Sequence, residues 1–487
     1  MLPECRQNEY LYNIPPFEIE NDNVENFVDE LRKFHSEFAD CFVRSEPRKN
    51  FFDYMVGQLS HLERKSIEPI AVSVNGIKSV RSMQRAISDA VWYENKILYK
   101  HQNMVCKEMG DQDGVLTLDE SGFTKKGDCS AGVSRQYNGE IGKVDNCQNG
   151  VFAGYATPKG YTLVDKRLFI PEKWFGDDYV EKRNKCKIPE DITFKTKPES
   201  AAVMYRDIVR RDAIPFRYVV ADSIYGNSPE FIDAVESDVG KIYMVSMPHN
   251  TLFWLRPPAT KEHSYQYRGE LCTKSVLADN EKSPISFNNF AKNLHNCFWY
   301  KRIVSEGTKG PIEYEFTKRN ITLAKDGLPD KNVWLIIKRT VGKKPEYSYY
   351  ISNAPVSTRL NTFVWLSGIR WSVEQCFQEC KSELGMGHYE VRKYTGWNRH
   401  MLTCMLAHFF LWHIKIALED NAPSITLPQI RLLLKVVLPL KTFSKQETIE
   451  LVRWILEKNH KAYLSHRKRK LGKNLSGEDL LTDFIMG

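Results

Sequence analysis

The chain has 487 residues, of which 42% are hydrophobic and 27% charged, with 69 Lys and Arg against 61 Asp and Glu. This length predicts two to four domains, and the apolar content suits packed cores rather than a disordered chain. No apolar run reaches the roughly 18 residues that a membrane span needs, and the N-terminus lacks the apolar core of a signal peptide. The eleven cysteines have no repeating spacing. We therefore expect reduced thiols in a cytoplasmic protein that has no contact with a membrane.

The net charge of +8 is concentrated near the C-terminus. Residues 453–473 hold eight Lys or Arg and one Glu. A basic segment of this kind suggests an acidic partner such as nucleic acid, although a solvated helix face would have the same composition. The candidate nucleic-acid contacts in this segment are Arg467, Lys468, Arg469 and Lys470.

The first 110 residues have the apolar spacing of amphipathic helices, in residues 23–42 and again in residues 81–105. No helix-turn-helix signature and no zinc-ligand spacing is visible there. Residues 1–110 are therefore predicted to be a helical region, and we assign DNA binding to it.

Short apolar strands begin after residue 111, and two of them end in an aspartate. VLTLD predicts a strand that ends at Asp119, and FRYVVAD predicts a nearly unbroken apolar strand that ends at Asp222. A polar, glycine-rich stretch after Asp119 suggests a long loop. The remaining elements predicted here are a hairpin of strands at 151–157 and 161–170, helices at 198–212 and 228–237, and a strand at 241–248.

This order of elements resembles the ribonuclease H-like fold, in which a later helix supplies a third acid. A Rossmann domain is the rival, but no GxGxxG motif follows any of these strands. The predicted fold class is thus α/β, with a ribonuclease H-like core interrupted by a β-rich insertion and flanked by helical regions. The predicted segments after the helical region are the first part of the core at 111–249, the insertion at 250–355, the last part of the core at 356–415 and a helical basic region at 416–487.

Residues 366–392 predict a helix with two cations and an acid on one side. Arg370 and Glu374 are four residues apart and Lys381 follows seven later, so the three lie on one stripe. Arg370 can grip a phosphate with two hydrogen bonds. Lys381, about 10 Å along the helix from Glu374, can reach a neighbouring phosphate. Taken alone, the same spacing also describes an ordinary surface ion pair.

Three carboxylates on separate elements suit a divalent metal. Two-metal phosphoryl transfer needs ions about 3.5–4 Å apart that activate the attacking oxygen and stabilise the leaving one. Mg²⁺ prefers carboxylate oxygens and keeps several waters. Asp119, Asp222 and Glu374 together therefore indicate metal-dependent cutting of a nucleic acid backbone. Cys376 and Cys380 do not indicate zinc, because they lie off the face of Glu374 and lack a second ligand pair.

Three blocks of the sequence resemble the bacterial insertion-sequence transposases of the DDE class. These blocks are LTLDESGFTKKGDCSAGVSRQYNGEIGKVDNCQNGVFAGYA, VVADSIYGNSPEF and RWSVEQCFQECKSELGMGHYEVRKYTGWNRHMLTCMLAHFFL, in family order. The resemblance is to the IS-four-like superfamily and, within it, to the IS-seven-hundred-one-like group. It implies that Asp119, Asp222 and Glu374 are the catalytic, metal-binding triad.

The superfamily signature around the last acid is Tyr-x2-Arg-x3-Glu-x6-Lys. Arg370, Glu374 and Lys381 match it, whereas Ser367 stands where the tyrosine is expected. Glu120 is left out of the site because adjacent side chains on a strand point to opposite faces. Further candidate DNA contacts lie in the polar stretch after Asp119, which could also be solvated: Lys125, Lys126, Arg135 and Lys143.

The resemblance implies a transposase that cleaves transposon ends and joins the freed 3′ hydroxyl to target DNA, with Mg²⁺ as cofactor and Mn²⁺ as a substitute. Its partners would be the terminal inverted repeats, the target DNA and a second copy of the chain in a homodimer. The protein would be cytoplasmic and nucleoid-associated, and second-strand cleavage through a DNA hairpin is possible. Two alternatives stay open: a nuclease of this fold that only hydrolyses, and a catalytically silent DNA-binding protein derived from a transposase.

Overall fold

The computed structural model describes residues 15–268, 270–307 and 310–471. In these ranges twelve strands form one mixed sheet, and two more form a separate hairpin. The strands are β1 Val115–Thr124, β2 Ser134–Asn138, β3 Lys143–Thr157, β4 Gly160–Leu168, β5 Tyr218–Ala221, β6 Ile242–Met247, β7 Leu252–Trp254, β8 Thr260–Tyr267, β9 Glu270–Leu277, β10 Ile285–Ser286, β11 Tyr300–Gly307, β12 Gly310–Lys325, β13 Leu328–Thr340 and β14 Tyr347–Ser352.

Helices precede the sheet, connect its strands and follow it. They are α1 Asn21–Ser36, α2 Ser45–Leu59, α3 Ile67–Asn75, α4 Val80–Ser88, α5 Glu94–Met109, α6 Val180–Cys186, α7 Lys197–Arg211, α8 Ser223–Gly226, α9 Pro229–Glu236, α10 Phe287–Asn293, α11 Leu360–Ile369, α12 Trp371–Ser382, α13 Tyr394–Ala417, α14 Leu427–Val437 and α15 Lys445–Leu471. No helix in the described ranges combines the length and apolarity that crossing a membrane requires.

The centre of the sheet has the strand order β4-β3-β1-β5-β6. β3 runs antiparallel to both β1 and β4, whereas β5 is parallel to β1 and β6 is parallel to β5. β5 is buried at every position, as an apolar strand covered on both faces should be. β5 ends beside Leu118, in the middle of β1, and β1 continues beyond that point to Thr124.

The strands between residues 250 and 355 extend this sheet. β14 pairs antiparallel with β6, and β13, β12 and β7 continue outward from it. Among the described residues, β8 and β9 pair with each other and with no other strand, and all the side chains of β8 are exposed. This β-rich stretch thus belongs to the same sheet as β1 and β5, to which it is joined through β6.

α13 is the buried helix of the fold, which explains its nearly unbroken apolar sequence. Most of its side chains are buried, and they contact β4, α2 and α14. N-terminal and C-terminal helices thereby share one hydrophobic core with the sheet. A helix that is apolar all round is expected in such a position.

Two stretches differ from the sequence-based prediction. The polar stretch after Asp119, predicted as a loop, is mostly strand: β1 continues to Thr124, and β2 pairs with the start of β3. The helix predicted for 366–392 is divided at Arg370 and ends at Ser382. Gly385, in a left-handed conformation with φ +70°, turns the chain away, and a Cβ there would lie 2.7 Å from Cβ of Lys65.

Candidate active site

Asp119 and Asp222 lie at neighbouring positions, where β5 ends beside the middle of β1. The strand predicted to end at Asp119 continues to Thr124, so Asp119 lies within β1 and only Asp222 follows a strand end. Leu118 of β1 pairs with Ala221 of the parallel β5, so the residue that follows each of them is an aspartate. One carboxylate oxygen of each is held by the local backbone. Asp119 Oδ1 accepts a hydrogen bond from the N–H of Glu120 at 2.8 Å, and Asp222 Oδ1 accepts one from the N–H of Ile224 at 2.7 Å. The parallel register of β1 and β5 therefore brings these two acids together.

Arg370 connects the third predicted acid to the first. It lies at the junction of α11 and α12, and Glu374 is in the first turn of α12. Its Nη2 donates to Glu374 Oε1 at 2.9 Å, and its Nη1 is 3.9 Å from Asp119 Oδ2. The fold therefore places carboxylates from β1 and α12 on one guanidinium, which the sequence spacing alone could not establish.

The two aspartates are in an environment that disfavours their charge. Burial raises the pKa of Asp119 to about 7, and the nearby Asp222 adds to the effect, although Arg370 opposes it. Burial also raises the pKa of Asp222, against the opposing hydrogen bond from the N–H of Ile224. A bound cation would stabilise the ionised form of these two carboxylates and would so lower their pKa values.

The chemistry of this donor set fits a hard divalent cation. Asp119, Asp222 and Glu374 offer only carboxylate oxygens, the ligands that Mg²⁺ prefers. Across the described ranges no three Asp, Glu, His or Cys side chains converge closely enough to hold a metal ion. At this site Arg370 takes up the space between Asp119 and Glu374 and neutralises part of their charge.

Glu120, which the sequence argument left out, takes part in a polar cluster next to the aspartates. Its Oε1 accepts a hydrogen bond from Lys197 Nζ at 2.9 Å, and its Oε2 accepts one from Tyr225 Oη at 2.9 Å. Tyr225 is completely buried and comes three residues after Asp222. Neighbouring side chains on a strand do point to opposite faces, but Lys197 and Tyr225 pack on the face to which Glu120 points. The signal in the sequence was the second acid directly after Asp119.

A second buried cluster fixes the orientation of α12. Glu379 Oε1 accepts hydrogen bonds from Tyr161 Oη and Gln375 Nε2, each at 3.0 Å. Glu379 Oε2 lies 2.8 Å from His408 Nε2, and His408 Nδ1 lies 3.1 Å from Thr162 Oγ1. The helix that carries Glu374 is therefore attached to β4 and α13 by its opposite face.

Several of the predicted phosphate contacts already have protein partners. Lys381 Nζ is 2.9 Å from Glu140 Oε2. Lys125 Nζ donates to the carbonyl of Tyr389 at 3.0 Å and lies 3.3 Å from the centre of its ring, and burial lowers the pKa of this lysine to about 7. These two lysines lie close to β1, but each would have to leave a partner in order to bind DNA.

The other predicted contacts are on the surface. Lys126, Arg135 and Lys143 are exposed around the β2–β3 hairpin. On α15, Arg467 donates to Tyr463 Oη at 2.9 Å and Lys468 is exposed. The side chains of Arg469 and Lys470 lie outside the described residues.

Ser367 occupies the signature position where a tyrosine is expected, and its hydroxyl is already hydrogen-bonded within α11. Ser367 is buried, and its Oγ donates to the carbonyl of Val364 at 2.8 Å. The side chain next to Arg370 is Trp371, which is 55% exposed rather than part of the core. Trp371 lies on the exposed face of α12, one turn before Glu374, whereas the neighbouring Ser372 and Val373 are buried.

Comparison with known proteins gives a family. The family model described as DDE superfamily endonuclease matches residues 37–306, more than half of the chain. A protein of Microchaete diplosiphon, named as a probable transposase for insertion sequence element IS701, is 25% identical over 375 residues, which cover 76% of this chain and 82% of that protein.

Two solved structures are weakly similar. The piggyBac transposase synaptic complex with hairpin DNA has a TM-score of 0.39 at 10% identity, over 82% of this chain and 71% of that chain. The NurA nuclease from Sulfolobus solfataricus has a TM-score of 0.24 at 10% identity, over 58% of this chain and 86% of that chain. Neither score is high enough to support an argument.

The family model and the sequence relative confirm the resemblance that the three sequence blocks predicted. The matched region contains both aspartates, together with Glu120 and Lys197 beside them. The chain belongs to the DDE superfamily endonucleases.

Proposed function

We propose that the protein is a DNA transposase, which cleaves transposon ends and joins the freed 3′ hydroxyl to target DNA. The observation that carries the proposal is the position of the Arg370 guanidinium between Asp119 and Glu374, with Asp222 on the adjoining parallel strand. The name of the IS701 relative points to the same activity. The strand order β4-β3-β1-β5-β6 supports a ribonuclease H-like core, with the β-rich stretch as its insertion.

Asp119, Asp222 and Glu374 would hold the divalent ions, Mg²⁺ or Mn²⁺. Such ions supply charge stabilisation at the attacking and leaving oxygens of an in-line phosphoryl transfer. The three acids come from β1, the end of β5 and α12, and two packed clusters fix these elements. That rigidity keeps reacting groups within the narrow range of geometry that catalysis requires.

Arg370 and Lys381 would hold the DNA backbone. Arg370 is within reach of both Asp119 and Glu374, so a phosphate entering between these acids would meet its guanidinium. Lys381 lies further along α12, beside Glu140 of the β2–β3 turn. A phosphate that replaces Glu140 there would fix the direction of the bound strand.

The partners we propose are duplex DNA of the terminal inverted repeats, target DNA and a second copy of the chain, since two ends must be processed together. The exposed cations Lys126, Arg135 and Lys143, which follow Asp119 in the chain, support a DNA surface near the site, and the exposed Lys468 on α15 supports a further DNA contact. We place this activity on nucleoid DNA in a bacterial cytoplasm. The division of the chain into five segments also remains a prediction.

The experiment uses the full chain, a plasmid that carries the DNA flanking its gene, and Mg²⁺. Asp119→Asn, Asp222→Asn and Glu374→Gln should each abolish nicking at the element's ends but leave DNA binding intact. Glu181→Gln, on an exposed acid paired with Lys185, is the matched control and should cleave like the wild type. Wild-type cleavage by any triad variant removes that residue from the site.

The products separate the transposase from its alternatives. Joining of the cut ends to a second plasmid supports transposition. Nicks without joined products indicate a nuclease that only hydrolyses. Binding to the ends without any metal-dependent nicking indicates a silent DNA-binding protein, and either result overturns the proposal.

A further inference from the structure

The N-terminal helices α2, α3 and α4 form a compact three-helix unit. α3 and α4 both pack on α2, and a short turn that begins at Gly76 joins them. Gly76 has φ +86°, a conformation that side chains rarely adopt, so the turn depends on glycine. The apolar face of α4 is buried through Val80, Met83 and Ile87. The opposite face of α4 is consequently turned away from the protein core.

This opposite face carries a stripe of polar side chains at helical spacing. Its members are Arg81, Gln84, Arg85 and Ser88, and Lys78 precedes them in the turn before α4; both arginines and the lysine are exposed. The stripe borders an open groove of about 310 Å³. Two short segments form the rest of the groove, one at the start of α3 and one just before α13.

The charges around this groove are not balanced. Each acid that lines it is already paired with a cation of the protein: Glu68 with Lys458, Asp89 with Lys187 and Lys393, and Glu390 with Arg64. Within the described residues the side chain of Arg85 has no ion pair or hydrogen bond. Arg81 has only a 3.4 Å hydrogen bond to Gln84. The stripe thus presents spare positive charge and hydrogen-bond donors at the protein surface.

We propose that α4 docks on duplex DNA and reads its sequence, with Arg81, Gln84 and Arg85 directed at the major groove. The proposal rests on the proposed function, because the duplex is taken to be a transposon end. The major groove is about 12 Å wide and admits one α-helix. Arginine pairs with the edge of guanine and glutamine with that of adenine, while Lys78 just before the stripe suits a phosphate.

The test compares two pairs of arginines with the same spacing. The probe is a duplex that the full chain selects from a random pool, measured beside a scrambled duplex of the same composition. Arg81→Ala with Arg85→Ala should bind the selected duplex at least about 10-fold more weakly than the wild type. Arg206→Ala with Arg210→Ala removes two exposed arginines four apart on α7 and should stay within about 2-fold. Equal effects of the two pairs would overturn the proposal.

A second variant guards against a folding defect. Arg85→Lys keeps the charge but loses the forked donor, so it should bind the scrambled duplex normally and lose preference for the selected one. Unchanged preference in this variant also counts against the proposal. DNA binding is measured with Asp119→Asn, so that cleavage does not affect it. If the wild type nicks no DNA and the α4 variants still lose DNA binding, the proposed function alone is refuted. Normal nicking and binding by the α4 variants refutes only the inference.

Discussion

Replacing Asp119 with asparagine should stabilise the metal-free protein at neutral pH. Burial raises the pKa of Asp119 from 3.8 to about 7. Between these values the unfolded chain has released a proton that the folded protein still holds, so the free energy of unfolding falls as pH rises from about 4 to about 7. A difference of about three pH units corresponds to about 4 kcal/mol. The asparagine cannot ionise, and its Oδ1 can still accept from the N–H of Glu120, so the variant avoids this cost.

The assay is thermal unfolding of wild type and Asp119→Asn in a chelator, at a series of pH values. The midpoint of the variant should exceed that of the wild type by several degrees at pH 8, and the difference should vanish near pH 4. Added Mg²⁺ should raise the midpoint of the wild type only, since a cation stabilises the ionised carboxylate. A variant that is less stable at pH 8, or a difference that does not change with pH, would refute the reasoning.

Three further substitutions test the surroundings of the site. Glu120→Gln removes the carboxylate that Lys197 and Tyr225 share. Single-turnover nicking should slow roughly 10- to 100-fold while DNA affinity is unchanged. An unaltered rate of nicking would contradict a positioning role for Glu120. Glu379→Gln weakens the contacts that hold α12, so chemical denaturation should show a loss of about 1–3 kcal/mol, and an unchanged midpoint would count against the cluster. Gly154→Ala places a Cβ 2.4 Å from Thr117 Oγ1, so its midpoint of chemical denaturation should be lower than that of the wild type. An equal midpoint would mean that β3 can shift to make room.

The sequence was informative where local chemistry decides structure. The unbroken apolar run before Asp222 predicted a buried strand, and β5 is buried at all its positions. The predicted end of the first strand at Asp119 was wrong, because β1 continues to Thr124; the parallel pairing of Leu118 with Ala221 is what brings the two aspartates together. The four-residue spacing of Arg370 and Glu374 also described an ordinary ion pair, and the two side chains do lie 2.9 Å apart; their roles toward metal and phosphate stay predictions.

Glu120 was missed and the partner of Lys125 was not foreseen, because both depend on contacts between distant parts of the chain. Glu120 meets Lys197 across 77 positions, and Lys125 meets Tyr389 across 264. No periodic pattern records such pairs, because each side chain taken alone looks like a surface residue. The polar stretch after Asp119 was similarly read as a loop, although pairing of β2 with β3 satisfies its backbone.

The bonding of β14 to β6 limits how the chain can change in length. Deleting the stretch from β7 to β14 would strip β6 of its neighbour and leave an unpaired apolar edge two strands from Asp119, a template for aggregation. A minimal catalytic fragment should therefore be insoluble unless that edge is covered. Among the described residues the β8–β9 hairpin pairs with no strand of the main sheet, so changing it would leave no strand of that sheet unpaired. Tags, linkers or natural insertions should be tolerated at this hairpin and rejected at β14.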